Sequence, residues 1–403
     1  MTTKASDLEQ LTAPDIPLEH VPCPRCSQDD SEQVYAARDY IYGLPGEYFA
    51  ARCRACGLWF QNPRPVAEYL ADLYTKSYTP HRSIDSSAEP VPGLSRTRSC
   101  DSQPLMGSTK IAAAPVQLSS GPSGERWTSR FLRKVTGPLR RQEWVMQAWK
   151  GWRQGYLIHG LGYRHLEGSS LSERLAARLG SRLSYWARWR ACCELVPHFR
   201  SDGILLEIGC GNGGYLRRLR DLGWRNLQGI ELVPRAAAAA RSLGFEVREA
   251  SVEEALKRYP DEHFDVIVSS MVMEHLLNPF ETARLIANKL KPGGELLFST
   301  VIRDSLDGYM FGPYGVSYDF PRHMVFFRKN DLNEMLEGRF DVIRSCHQST
   351  PIDFQRPARL RGAPVDAYIA RFFHSVVGLW LVRRLAQFKL MGRVSYRCRR
   401  TFC

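Results

Sequence analysis

Glu207 stands two residues ahead of a run of small residues, Gly209-Cys210-Gly211-Asn212-Gly213-Gly214, which ends the apolar segment Ile204 to Ile208. A carboxylate beside such a turn suits a nucleotide-type ligand. The backbone must leave a strand sharply and let the ligand approach main-chain N–H groups at a helix N-terminus, which a Cβ would obstruct. The spacing satisfies both G-x-G-x-G and G-x-G-x-x-G, so the turn alone does not choose the ligand. Downstream, Leu227 to Ile230 reads as a second strand closing on Glu231, about 20 residues beyond the glycines, where an acid can grip ribose hydroxyls.

A second constellation is made of thiols. Cys23-Pro24-Arg25-Cys26 and Cys53-Arg54-Ala55-Cys56 form two C-x2-C knuckles separated by 26 residues. Four thiolates in two knuckles give closed tetrahedral coordination with no open position, the arrangement of a structural Zn2+ ribbon. A hairpin fits the gap, with Val34 to Ala37 and Tyr48 to Arg52 as strands. Disulfides would need an oxidising compartment, and the opening Met1-Thr2-Thr3-Lys4 has no apolar stretch to export the chain, so reduced thiols and a cytoplasmic location are expected. The metal replaces a core that the first 60 or so residues are too short to build, so chelation is expected to unfold that module alone.

Phe264 to Val268 reads as a further apolar strand followed by Met273-Glu274-His275-Leu276, and Leu290-Lys291-Pro292-Gly293-Gly294 turns into another strand, Glu295 to Val301. Taken in order with E-x-G-x-G-x-G and Glu231, this set over roughly 204–348 resembles the class I S-adenosylmethionine-dependent methyltransferases. The resemblance implies an α/β fold with a Rossmann-like, doubly wound, seven-stranded sheet, here with a small N-terminal zinc ribbon and flanking helices. It also implies S-adenosylmethionine as cofactor. Glu207, Gly209 and Gly211 match the positions along its methionine portion, Glu231 that on the ribose, and Glu249-Ala250-Ser251-Val252 the stretch beside the adenine. Cys210, Gly213, Leu232 and Ser270 complete the expected cofactor set, Cys210 as a packing residue. After the fourth cysteine, Gly57-Leu58-Trp59-Phe60-Gln61-Asn62-Pro63-Arg64-Pro65 is similar to zinc-containing methyltransferases of sugar, surface-glycan and natural-product pathways. That likeness points to a small-molecule or carbohydrate-type acceptor, O-methylated before C-methylated, with a lipid-linked glycan among the candidates.

Removing a proton from a hydroxyl acceptor needs a base. His275 follows Glu274 at the carboxyl end of a parallel strand, and His323 sits in Tyr318-Asp319-Phe320-Pro321-Arg322-His323, beyond a Gly/Tyr-rich loop, Gly308 to Gly315. A histidine accepts a proton near neutral pH without a large shift. Related sugar methyltransferases carry a similar P-R-H segment, which ranks His323 first, then His275 and Tyr318, with Asp304 and Tyr314 behind. Either histidine could equally be a hydrogen-bonded structural residue.

Seven segments position these residues: a flexible stretch 1–18, the ribbon 19–66, a connecting helix 67–80, a linker 81–125, a basic helical segment 126–200, the cofactor-binding core 201–348 and a basic C-terminal helix with a last strand, 349–403. The linker holds ten Ser, five Pro and four Gly in 45 residues, too little apolar surface to offset the entropy of ordering. Residues 125–200 and 356–403 each carry a net charge of +10 within a chain total of +13, so the remainder is about −7. In the first basic segment a Ser170–Glu173 capping box opens an amphipathic pattern. In the second, residues 365–391 read as one long amphipathic helix, with an apolar run from Phe372 to Val382 too short to span a bilayer. Val394, Tyr396 and Cys398 alternate as a final strand that the family inserts antiparallel between the fifth and sixth. The basic helices could cap the cleft with solvated arginines, contact the inner membrane surface or, ranked last, meet nucleic acid. The rival functions are an RNA methyltransferase and a non-catalytic zinc-ribbon adaptor.

Overall fold

The computed structural model describes residues 16–74, 153–167, 185–350 and 352–402. The expected linker 81–125, the end of the connecting helix and the Ser170–Glu173 box lie outside them. Two compact units are distinguished, one of residues 1–85, 161–163 and 185–403, the other of residues 86–160 and 164–184. In the second, residues 153–160 are helical and Arg164–Leu166 forms a 3-10 turn, with Gln154 Nε2 donating to the Leu166 carbonyl at 3.0 Å.

The first unit opens with the ribbon. Strands β1 (Ser31–Ala37) and β2 (Tyr48–Cys53) form the expected hairpin, and β3 (Trp59–Gln61) pairs with β2. The main sheet follows, with β4 (Ile204–Ile208), β5 (Asn226–Glu231), β6 (Glu246–Glu249), β7 (Phe264–Ser270) and β8 (Leu290–Val301) parallel to one another. β4 and β7 are almost wholly buried, with apolar runs at Leu205–Leu206 and Val266–Val268, as strands covered on both faces require. A short strand, β9 (Val325–Phe326), precedes β10 (Phe340–Gln348) and β11 (Arg393–Arg400). β11 enters antiparallel between β8 and β10, giving the order β10-β11-β8-β7-β4-β5-β6. The last strand is therefore where the family resemblance places it. The order reverses between β4 and β7, and ligands of open α/β sheets bind at such a switch point.

Two expectations change. The helix expected over 365–391 is two, Pro364–His374 and Val376–Gln387, because the Ser375 side chain accepts the Gly378 N–H and starts a new helix. The glycine-rich loop 308–315 is largely helical, Leu306–Phe311 followed by a 3-10 turn at Gly312–Tyr314, with Ser305 as N-cap.

The ribbon, moreover, does not stand apart. β9, which directly follows the P-R-H segment, pairs antiparallel with β3 through Val325–Phe60 and Phe326–Trp59, so a core strand completes the ribbon sheet in the order β9-β3-β2-β1. Cys23, Cys53, Leu58 and Phe60 share one buried cluster with Ile267, Phe298 and Met324. Arg25 pairs with Asp331 and Glu334. Strand pairing, shared buried side chains and ion pairs thus join the ribbon to the core, so it is more than a module on a tether.

Candidate active site

The turn after β4 takes left-handed φ values at Gly209 (+70°) and Gly211 (+53°), which side chains disfavour. A Cβ at Gly209 would also meet Val272 Cγ2 at 2.5 Å. The turn is held from β5, where one Glu231 oxygen accepts the Gly211 N–H at 2.8 Å and the other the Val233 N–H at 2.9 Å. Burial raises the Glu231 pKa while these N–H groups lower it, the former prevailing. Glu207 is buried beside it, and its Oε2 has no hydrogen-bond partner among the described residues. Desolvation, and then the Glu231 charge, push Glu207 up to about 8. Two buried carboxylates, one with an unfilled acceptor, ask for a ligand that brings N–H donors and positive charge. S-adenosylmethionine, with an ammonium group, a sulfonium and ribose hydroxyls, fits that demand.

A cavity of about 410 Å³ opens at this end of the sheet, within the range of small-ligand sites. Of the expected cofactor residues, Gly209, Glu231, Leu232, Ser251 and Ser270 line it. Glu207, Cys210, Gly211, Gly213 and Ala250 adjoin these residues along the turn and strands without lining the cavity themselves. Gly211 anchors Glu231, the Ala250 N–H donates to the Glu231 carbonyl at 3.3 Å, Gly213 is the left-handed N-cap of the helix Gly214–Asp221, and the Cys210 side chain lies against Gly229. Ser251 caps the helix Val252–Lys257 by accepting the Glu254 N–H. Sequence reasoning missed Ala67, Leu70 and Tyr74, which come from the 3-10 turn after the ribbon and its exit and form the opposite wall. No motif marks them.

His275 lines the same cavity. Its Nδ1 lies 2.9 Å from the Arg322 carbonyl, which only accepts, so Nδ1 carries the proton and Nε2 keeps its lone pair. Burial, then the neighbouring His323, lower His275 to about 4, so the imidazole is neutral at physiological pH. His323 packs edge-on against it at 4.7 Å between centroids. Two groups approach His323 Nδ1, the Ser317 carbonyl at 3.0 Å and the Asp319 N–H at 3.4 Å, and the shorter contact again assigns the proton to Nδ1. Its pKa too is lowered, chiefly by burial. Glu274 is fully buried. One oxygen accepts from Thr300 Oγ1 at 2.6 Å, and Oε1 has no partner among the described residues. Ligand atoms of Glu274, His275 and His323 lie within 4.8 Å of one another, a cluster of acceptors suited to receiving a proton.

Tyr318 is not part of this group. It packs against Tyr35 and Phe326 in the ribbon's aromatic cluster, and burial pushes its hydroxyl up to about 12, so it stays protonated. Asp304 accepts the Lys329 N–H instead of facing the cavity, and Tyr314 packs on Tyr40.

What holds the two histidines is a buried ion pair that no motif announces. Arg322 is fully buried, donates to both Asp39 oxygens at 2.9 Å and is also bonded to Asp319. Asp39 in turn accepts the N–H groups of Ile41 and Tyr42, so the connection between β1 and β2 grips the P-R-H segment. Asp39 is legible afterwards only as an acid in a ribbon turn.

Cys23, Cys26, Cys53 and Cys56 converge, with Sγ–Sγ separations of 3.6 Å for Cys23–Cys56 and Cys26–Cys53. A zinc–sulfur bond of about 2.3 Å in tetrahedral geometry sets sulfurs about 3.8 Å apart, so the four thiols fit Zn2+ and are too far apart for disulfides.

Residues 178–340 match the family model described as a methyltransferase domain. The ubiquinone biosynthesis O-methyltransferase of Nitrosospira multiformis is 32% identical over 182 residues, covering 44% of this chain and 69% of that protein. The tRNA U34 carboxymethyltransferase of Cellvibrio japonicus is 27% identical over 182 residues, covering 42% of this chain. The chain spans 50% of the length of that relative, and likewise 50% of the ubiquinone biosynthesis O-methyltransferase of Aromatoleum aromaticum. Among solved structures, an S-adenosylmethionine-dependent methyltransferase from Mesorhizobium loti is similar at 17% identity and a TM-score of 0.36, covering 53% of this chain and 97% of that one.

Proposed function

Because the chain belongs to the class I S-adenosylmethionine-dependent methyltransferases, we propose that it methylates an oxygen of a small-molecule or carbohydrate-type acceptor, with His275 and His323 as the proton-accepting pair. The observation carrying this reading is the neutral His275 imidazole, its Nδ1–H spent on the Arg322 carbonyl and its Nε2 left for the acceptor at the cavity wall. When bound, the cofactor supplies an electrophilic methyl group on a sulfonium. Glu231, at the cavity, and Glu207, with its unfilled Oε2, would hold its hydroxyl and charged groups, and the glycine turn would leave room for it beside the backbone. With cofactor and acceptor in place, His275 Nε2 would take the hydroxyl proton that the acceptor gives up on methylation. Alignment carries much of the rate in such a displacement, and proton transfer to a positioned base contributes about 10²–10⁴-fold.

Calorimetry with S-adenosylmethionine and its demethylated product tests the cofactor half. Binding to wild type and its loss in Gly211→Arg are expected, whereas no binding to wild type removes the enzyme reading. Transfer of labelled methyl from the cofactor to phenols, nucleotide sugars and lipid-linked sugars tests the acceptor half. A second reading, methylation of RNA, is favoured by the similarity to a tRNA-modifying relative and by the basic segments. Transfer to bulk tRNA, with binding that weakens steeply with salt, would establish it instead.

A further inference from the structure

Seven of the twelve large apolar side chains exposed among the described residues fall between 365 and 390, inside the helical insertion that separates β10 from β11. The inner face of this insertion is anchored. Phe354, Phe373, Val382, Ala386 and Met391 form one buried cluster with Phe311, and Phe354 stacks on Phe373 at 3.9 Å. Among the described residues the outer face has no such partner. Val365, Tyr368 and Phe372 recur at i, i+3, i+7 on the helix Pro364–His374, with Tyr368 73% exposed, and Val377 and Trp380, 57% exposed, follow on Val376–Gln387. Soluble surfaces seldom gather large apolar groups this way without a use.

The charge around this face points in one direction. Residues 356–403 hold 11 Lys/Arg and a single acid, Asp366, which is buried and paired with Arg361. Arg371, Arg384 and Lys389 are exposed among the apolar residues, and the Arg384 guanidinium lies over the Trp380 ring at 5.4 Å. We infer that the helices Pro364–His374 and Val376–Gln387 form a docking face for an anionic lipid bilayer surface. Aromatic and aliphatic side chains enter the headgroup boundary while the cations meet lipid phosphates. A second copy of the chain would bring the same cations together with no acid to meet them. A nucleic acid has no use for Val365, Val377 and Leu390. At 11 and 12 residues the helices reach about 16–18 Å, short of the roughly 30 Å hydrocarbon core, so they lie on a bilayer and do not cross it.

Sedimentation of the full chain with vesicles of phosphatidylcholine alone, or mixed with phosphatidylglycerol, tests this. Binding to the mixed vesicles only, weakening with salt, is expected. The double variant Arg371→Gln/Arg384→Gln should lose about fivefold per arginine, the weight of a basic residue near an anionic surface. Tyr368→Ser/Trp380→Ser should lose binding altogether, with an unchanged thermal transition showing that the fold survives. No binding by wild type to mixed vesicles, equal binding to both vesicle types, or variants that bind like wild type each overturn the proposal. So does a dimer in light scattering that Trp380→Ser abolishes.

Discussion

Replacing Asp39 by Asn tests how far the ribbon supports His275 and His323, the proposed bases. Arg322 is fully buried and its guanidinium is shared by Asp39, at two contacts of 2.9 Å, and Asp319. Removing one partner of a buried pair leaves an uncompensated charge and costs about 3–5 kcal/mol. Asp319 remains, so the lower end applies, about 3 kcal/mol, and at roughly 2–4 °C per kcal/mol the thermal midpoint should fall by about 6–12 °C. The exposed pair Arg54–Asp30 on the same ribbon is the control, because Arg54→Ala should cost under about 1 kcal/mol. A second effect follows from geometry. The Arg322 carbonyl fixes the His275 tautomer, so ¹⁵N shifts of the His275 ring should show a single Nδ1–H form in wild type and a tautomer mixture in Asp39→Asn. A variant as stable as Arg54→Ala, with wild-type His275 shifts, would refute the link between ribbon and base.

Other outcomes follow from the same site. Glu207, at about 8 folded and 4.5 unfolded, takes up a proton on folding at neutral pH, so its burial costs stability that grows as pH rises from 4.5 to about 8. Glu207→Gln should therefore stabilise the free protein at pH 7 by about 2–3 kcal/mol in denaturant melts while weakening cofactor binding at least about tenfold in calorimetry. His275 shifts the other way, to about 4 from 6.5, so the unfolded chain binds the extra proton and stability falls as pH drops from 6.5 towards 4. His275→Gln should flatten that slope, and a slope as steep as that of wild type would remove His275 as its source. Removing metal with a chelator should raise hydrogen exchange in Val325–Phe326 and the preceding P-R-H segment as well as in the ribbon, because β9 pairs with β3. Exchange confined to residues 19–66 would show that the ribbon unfolds independently.

Much of the fold is local and therefore legible in the chain. β4 and β7 read as buried strands because each carries a continuous apolar run, Ile204–Leu206 and Val266–Val268, as parallel strands covered on both faces do. The turn at 209–213 needs glycine because its φ values are positive, and the four thiols pair by spacing alone. The place of β11 was legible only through family resemblance, since nothing in Val394, Tyr396 and Cys398 names a neighbour. The break at Ser375 escaped the helical pattern because apolar periodicity continues across it, and only the Ser375 cap on Gly378 interrupts the backbone. The candidate site divides in the same way. Residues that a backbone turn places, such as Gly209, Gly211 and Glu231, were found from spacing. Those whose role depends on contacts far along the chain were not: Asp39 meets Arg322 across 283 residues, and Tyr74 faces His275 only once the ribbon is docked. The chemistry of the histidines belongs to this second class. A sequence can propose His275 and His323 as bases, but their proton positions and lowered pKa values come from burial and from the Arg322 and Ser317 carbonyls, which only the folded chain brings to them.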